Sequence, residues 1–216
     1  VEFTNGHARD LDGSLLHCSH GLRAVYRTAA DGSGQRIVVD RWQGKRFNAP
    51  NDIVVKSDGT FWFTDPPYGL IIPEEGHGGV SEIGDCLVFR HDPRTGALDP
   101  VTDLPIEPNG LAFSPDESVL YVSDTSAALG REATGNHCIF AFDVVGGRTL
   151  TLTNGFGAVG GSNTGASANA QLEFGVLQGI TSSVSNGTLS LAADANVQAN
   201  NKAIVRFATA ATPFIA

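Results

Sequence analysis

The first 150 or so residues are predicted to be all-β, arranged as about three consecutive β-propeller blades, and three observations point there. A unit opening on Asn recurs: Asn5 to Leu16, Asn51 to Asp65 and Asn109 to Asp124 each read as Asn, a short apolar strand, an Asp-centred turn and a second strand. The Asn-to-Asn spacings are 46 and 58 residues, and a four-stranded blade takes roughly 40–50. No ten-residue window carries a 3.6-residue apolar period, so helices are not expected.

Each unit supplies two hairpins. The first turns are Asp12-Gly13, Asp58-Gly59 and Pro115-Asp116, residues suited to tight reversals. The strands that follow, such as Phe61-Trp62-Phe63 and Leu120-Tyr121-Val122, are rich in aromatic and β-branched side chains, which fit a pleated, half-buried surface. A second pair runs from Ala24–Thr28 through Asp31-Gly32-Ser33-Gly34 to Arg36–Asp40. Another runs from Cys86–Arg90 through Asp92-Pro93-Arg94-Thr95-Gly96 to a strand around Val101, and Cys138–Asp143 begins a third. The segment 69–84, with Pro73 and a run of glycines, reads as a loop.

Composition divides the chain near residue 150. Of 14 Lys and Arg and 23 Asp and Glu, only Lys202, Arg206, Glu173 and Asp194 lie in 151–216, and all His, Cys, Trp and Tyr precede the break. The remainder is a tail rich in Gly, Ala, Ser, Thr and Asn, with β-forming runs at 171–177, 187–191 and 203–207. The chain is therefore expected to comprise a unit over 1–150 and a low-charge tail of unknown identity over 151–216. Natural fusion, fragment and sequence artefact all remain open as origins of that join. With no Met and no signal-like start, a processed form or an internal fragment is expected; cytoplasm and periplasm both stay open. The net charge of −9 argues against nucleic acid as a partner, because phosphate binding needs clustered Lys and Arg. No apolar run is long enough to span a bilayer. Cys18, Cys86 and Cys138 lack zinc-ligand spacing and are expected as buried, reduced thiols.

At Arg46–Gly69, with Asn48-Ala49-Pro50-Asn51-Asp52 and Thr64-Asp65-Pro66-Pro67-Tyr68-Gly69 within it, the sequence resembles the gluconolactonase branch of the SMP-30/gluconolactonase family. Ser81–Cys86 and Pro108-Asn109-Gly110 through Glu117 match next, in the family's order. The resemblance covers residues 5–150 and implies part of a six-bladed propeller that hydrolyses sugar lactones, with a small lactone such as glucono-1,5-lactone as partner. It implies a divalent metal, Ca2+ foremost with Zn2+ or Mg2+ as alternatives, held in the family by a Glu, the Asn of Pro-Asn-Gly and an Asp of an Asp-Gly motif. Carried over, Asn109 is a metal ligand and Asn51 faces metal or substrate. The Glu is expected upstream of Val1, and the Asp has no counterpart, since Asp194 is followed by Ala195. No catalytic general base is assigned, and a weakly active or inactive form is expected. A non-catalytic binding propeller, or a non-functional fragment with an unrelated tail, is the alternative; oligomeric state is open.

Outside those motifs, Asn-Asp and Asn-Gly are also common turn dipeptides, so without the resemblance Asn51 and Asn109 read as turn residues. Tyr68 reads equally as pocket lining or packing. His77 reads as a solvated loop residue, with substrate contact as the rarer reading, and His20 as part of a blade-edge turn. Gly155-Phe156-Gly157-Ala158-Val159-Gly160 fits a dinucleotide pattern but no amphipathic helix follows, so that reading is rejected.

Overall fold

The computed structural model describes residues 3–129, 134–136 and 138–152, and beyond them only short strands. Three four-stranded antiparallel meanders make up the described body. The first contains β1 (Thr4–Arg9), β2 (Leu15–Ser19), β3 (Ala24–Thr28) and β4 (Arg36–Val39). A small hairpin follows, β5 (Arg41–Trp42) and β6 (Lys45–Arg46), reversing through Gln43 and Gly44, both at positive φ. The second meander contains β7 (Ile53–Val55), β8 (Phe61–Asp65), β9 (Leu87–Asp92) and β10 (Ala97–Thr102). The third contains β11 (Pro108–Phe113), β12 (Val119–Asp124), β13 (Cys138–Val145) and β14 (Thr149–Leu152). These are three consecutive blades of a β-propeller, and their hairpins bracket Asp58-Gly59 and Pro115-Asp116 as the repeat predicts.

The Asp-centred turns share one hydrogen-bond device. An Oδ1 accepts from both the backbone N–H and the side-chain hydroxyl of the residue two positions on. Asp12 takes Ser14 (2.9 and 2.5 Å), Asp31 takes Ser33 (2.9 and 2.6 Å), Asp58 takes Thr60 (3.0 and 2.7 Å) and Asp116 takes Ser118 (3.1 and 2.8 Å). Such local bonds are why Asp followed by Ser or Thr leaves the strand ladder and turns. At Asp116 the hydroxyls of Ser114 and Ser118 bring the carboxyl down to about 2.

The fourth residue of the first-hairpin turn is left-handed in all three blades. It is Gly13 (φ 86°) and Gly59 (φ 83°) in the first two, but Glu117 (φ 56°) in the third. The conformation disfavours a side chain. Glu117 offsets that by bridging to the second blade: its carboxylate accepts from Ser57 N (2.7 Å), Ser57 Oγ (2.5 Å) and Lys56 Nζ (3.0 Å).

Two apolar layers lie between blades. Leu16, Cys18, Val25, Phe47, Ile53, Phe61, Phe63, Leu87 and Phe89 fill the space between the first and second. Trp62, Val88, Leu111, Leu120, Val122, Cys138, Phe140 and Phe142 fill that between the second and third. Phe61 and Phe63 therefore point one way from β8 and Trp62 the other, as strand alternation requires. Trp62 is fully buried, and its indole N–H donates to Thr60 Oγ1 at 3.1 Å. The three cysteines are free thiols as expected, Cys18 and Cys138 buried, but Cys86 is only half-buried just before β9.

The first strands of the blades, β1, β7 and β11, lie next to one another. Gly6 N donates to Asn51 O at 2.7 Å, and Leu111 N donates to Asp52 Oδ2 at 3.0 Å. A Cβ on Gly6 would come within 2.6 Å of Asn51 O and of Asp52 Cα, so this approach requires glycine. The 69–84 segment is a loop except at its start, where α1 (Tyr68–Ile71) makes one helical turn.

Of the tail, five strands are described: β15 (Gly157–Ala158) pairs with β13, β16 (Gln171–Phe174) with β19 (Val205–Ala208), and β17 (Ile180–Ser185) with β18 (Thr188–Ala193). The rest of 153–216, including most of the Gly155–Gly160 tract and Asp194, lies outside the described residues.

Two stability outcomes follow. Gly6→Ala forces the first two blades apart and is expected to cost about 1–3 kcal/mol in urea unfolding. Glu117→Ala and Glu117→Gly both remove the bridge to Ser57 and Lys56, but only Ala keeps the left-handed penalty. Ala is therefore expected to be the less stable by about 1 kcal/mol; equal midpoints would show that the turn relaxes.

Candidate functional site

Asn51 and Asn109 hold equivalent places, each just after a proline at the start of its blade's first strand. What fixes them is a buried carboxylate at the end of the second strand. Asp65 accepts from Asn48 N and Ala49 N, both at 2.8 Å. Asp124 accepts from Ile106 N (2.7 Å) and Glu107 N (3.2 Å). Each pair of N–H groups belongs to the residues entering Pro-Asn, so the carboxylate sets the path of the chain into the site residue. In the first blade the corresponding position is Ser19, which instead accepts from Leu22 N at 3.1 Å.

The residue after this carboxylate reaches the Asn of its own blade. Thr125 Oγ1 accepts from Asn109 Nδ2 at 3.0 Å, and His20 Nε2 lies 3.3 Å from Asn5 Nδ2. In the middle blade that place is Pro66, which offers nothing to Asn51. Asn51 therefore crosses to the first blade, its Nδ2 3.2 Å from His20 Nε2.

Two polar groups result. One is Asn5, His20 and Asn51, with His20 only 3% exposed and Asn51 4%. Behind it, His20 Nδ1 lies 3.1 Å from Glu75 O. The other is Asn109, Thr125 and Tyr68, whose hydroxyl is 2.5 Å from Thr125 Oγ1, with Glu107 beside it. Burial, reinforced by the nearby Glu107 charge, raises the Tyr68 phenol, so it stays protonated. The structure thus brings Asn51, Asn109 and Tyr68 to one end of adjoining blades but does not join the two amides directly. His77 is exposed in the loop, its ring edge-on to Phe3 at 5.1 Å.

His20 lies in a blade-edge turn, as expected. Its ring, however, is buried against two asparagines. Burial lowers its pKa, partly countered by the Glu75 carbonyl and carboxylate, and this favours the neutral ring. Glu107, Thr125 and Asn5 were missed. For Thr125 the signal was present: it comes directly after the repeat's closing residue, Asp124.

The donor chemistry bears on a divalent cation. Both amides commit their NH2 groups to protein acceptors, leaving Oδ1 of Asn51 and Asn109 as the outward oxygens, which suit a hard ion. Such an ion takes about six to eight oxygens, and among the described residues no group of three His, Cys, Asp or Glu side chains converges on one point. The described residues therefore fit part of a cation cage. Among them no helix is long and apolar enough to cross a membrane.

Asp65 provides a pH signature. Complete burial raises its carboxyl to about 7, against the pull of the Asn48 and Ala49 N–H groups and Arg23. A carboxyl that holds its proton more tightly when folded favours the folded state most below its ordinary pKa. That contribution falls as pH rises to the folded value. The stability of the native chain relative to Asp65→Asn is therefore expected to decline between about pH 4 and pH 7 and then level off. A difference that rises with pH in urea titrations would refute it.

A family model described as SMP-30/Gluconolactonase/LRE-like region matches residues 3–153. The chain is 40% identical over 125 residues to a gluconolactonase of Zymomonas mobilis subsp. mobilis, covering 58% of this chain and 34% of the relative. It is 37% identical over 92 residues to lactonohydrolase oryL of Aspergillus oryzae, covering 43% and 20%. A solved gluconolactonase from Xanthomonas campestris superposes with a TM-score of 0.62 at 44% identity, covering 69% of this chain and 47% of that one. A luciferin-regenerating enzyme superposes at 0.50 with 14% identity, covering 70% and 46%, a likeness of fold alone. The chain spans between a fifth and a half of the length of these relatives.

Proposed function

Because the chain belongs to the SMP-30/gluconolactonase/LRE-like family, we propose that it serves the hydrolysis of sugar lactones, with aldonolactones such as glucono-1,5-lactone as the substrate class. The observation that carries this reading is the pair of asparagines within the gluconolactonase match. Both sit at blade starts, and both have their amide nitrogens tied back into the protein.

In this reading Asn109 and Asn51 hold a divalent cation, Ca2+ foremost, through Oδ1. A cation held by these amide oxygens would supply Lewis-acid chemistry to the lactone carbonyl. The chain's own groups then divide the work of binding. Asn51 faces the lactone as well as the ion. Tyr68, protonated and anchored on Thr125, offers a hydroxyl at the wall of the site. His77, on the exposed loop, contacts substrate from outside.

Two neutral amide oxygens alone bind Ca2+ weakly, and no carboxylate here is assigned as general base, a role usually worth about 10²–10⁴ in rate. Low calcium-dependent turnover is therefore the expected behaviour of this 216-residue chain. The test pairs calcium calorimetry with a pH-stat assay on glucono-1,5-lactone, beside the full-length Xanthomonas relative. Turnover about 10²–10⁴ below the relative is expected, with Asn109→Ala abolishing both calcium binding and what activity remains. Calcium binding unchanged in a folded Asn109→Ala variant would remove Asn109 from the site. Turnover equal to the relative's would show that the chain holds a base and ligands not assigned here.

A further inference from the structure

The geometry around His20 determines more than its burial. Its Nδ1 faces the carbonyl oxygen of Glu75 at 3.1 Å, and a carbonyl only accepts, so Nδ1 carries the proton. In a singly protonated ring Nε2 is then a bare lone pair. Two amides approach that lone pair, Asn5 at 3.3 Å and Asn51 at 3.2 Å, and each must present its NH2 end. Their Oδ1 atoms consequently point away from His20.

We propose that His20 is a positioning residue that sets the amide orientation of Asn5 and Asn51, so that two adjoining blades each offer a neutral oxygen to a hard divalent cation. This adds Asn5 to the site and rests on the reading of Asn51 as a cation-facing residue.

The surroundings are built to keep the ring in place. The first turn of α1 lies against it: a Cβ on Gly69 would fall 2.6 Å from His20 Cβ. The loop then folds back so closely that a Cβ on Gly76 would fall 2.1 Å from Gly69 O. This return brings Glu75 O to Nδ1, with the Glu75 carboxylate 3.7 Å away on the same side. A ring held from behind by an acceptor has its tautomer chosen by the fold rather than by its ligands.

The first readout is the ring itself. Nitrogen-15 shifts of the His20 imidazole in the intact 216-residue chain are expected to show a protonated Nδ1 and an unprotonated Nε2. A protonated Nε2 overturns the proposal whatever the metal does. The second readout is calcium affinity, measured by calorimetry with calcium chloride and corrected for folded fraction from urea curves. His20→Gln supplies an oxygen acceptor to the asparagines and an amide N–H to Glu75 O, so it should stay within about threefold of the native chain. His20→Leu frees both amides to rotate and should weaken binding by about tenfold. Equal affinity in the Gln and Leu variants overturns the positioning role. Asn51→Ala separates the two layers of inference: if it leaves calcium affinity unchanged, the cation reading of Asn51 fails, while the imidazole shifts still decide the orientation claim.

Discussion

Asp65 and Asp124 each take two backbone N–H groups from the residues that lead into a Pro-Asn pair, and the placement of the site depends on those bonds. Backbone donors that enter a buried region must find acceptors. At the inner end of a blade the ladder has run out, because the first strand is only beginning. A carboxylate at the end of the neighbouring strand accepts both donors at once. The burden falls on the carboxyl: Asp65 is completely desolvated and its pKa is raised to about 7 even with two N–H groups pointed at it. What the fold obtains is a fixed entry angle for proline, and proline's own restricted φ then places the following asparagine.

The blades are joined by two kinds of contact that act at different distances. The apolar layers around Phe63 and Trp62 bury the large side chains between blades without directional bonds. The contacts between first strands are directional. Gly6 N on Asn51 O, Leu111 N on Asp52 Oδ2 and Thr64 Oγ1 on Asn109 O at 2.6 Å tie the backbone of each site residue to the next blade. A side chain at an inner strand therefore has its position set jointly by two blades. At the far end of the hairpins Glu117 does the same work through a carboxylate, at the cost of a left-handed backbone.

Much of this was legible in the sequence. The repeat of Asn, strand, Asp-turn, strand located three blades and their hairpins, because Asp-Gly and Pro-Asp at the turn are local signals that need no tertiary context. The aromatic run Phe61, Trp62 and Phe63 marked a strand, and the structure buries it on both faces. Asn51 and Asn109 became candidates through resemblance, not through composition, since Asn-Asp and Asn-Gly alone say only turn. The contacts of His20 were hidden for a different reason. Its partners Asn5, Asn51 and Glu75 are 15, 31 and 55 residues away, and no local pattern marks a histidine that meets side chains from two blades and a loop. The four residues of α1 were equally out of reach, being too short for any apolar period to form.

The chemistry collects where the repeat is broken. If the three blades were identical, each Asn would be satisfied within its own blade by the residue after the closing carboxylate, as Asn109 is by Thr125. Pro66 in the middle blade withdraws that partner, and His20 in the first blade is large enough to reach across and accept from Asn51 as well as from Asn5. A shorter side chain in that place, such as Thr125, reaches the amide of its own blade; a proline has no side-chain acceptor. An imidazole bound from behind at Nδ1 presents one lone pair at a distance of several bonds from its backbone, and so couples two blades through their amides. The departure from symmetry at positions 20, 66 and 125 turns three equivalent turn asparagines into two tied together and one held apart beside Tyr68. That asymmetry leaves a repeated fold with one end at which its three asparagines are held differently.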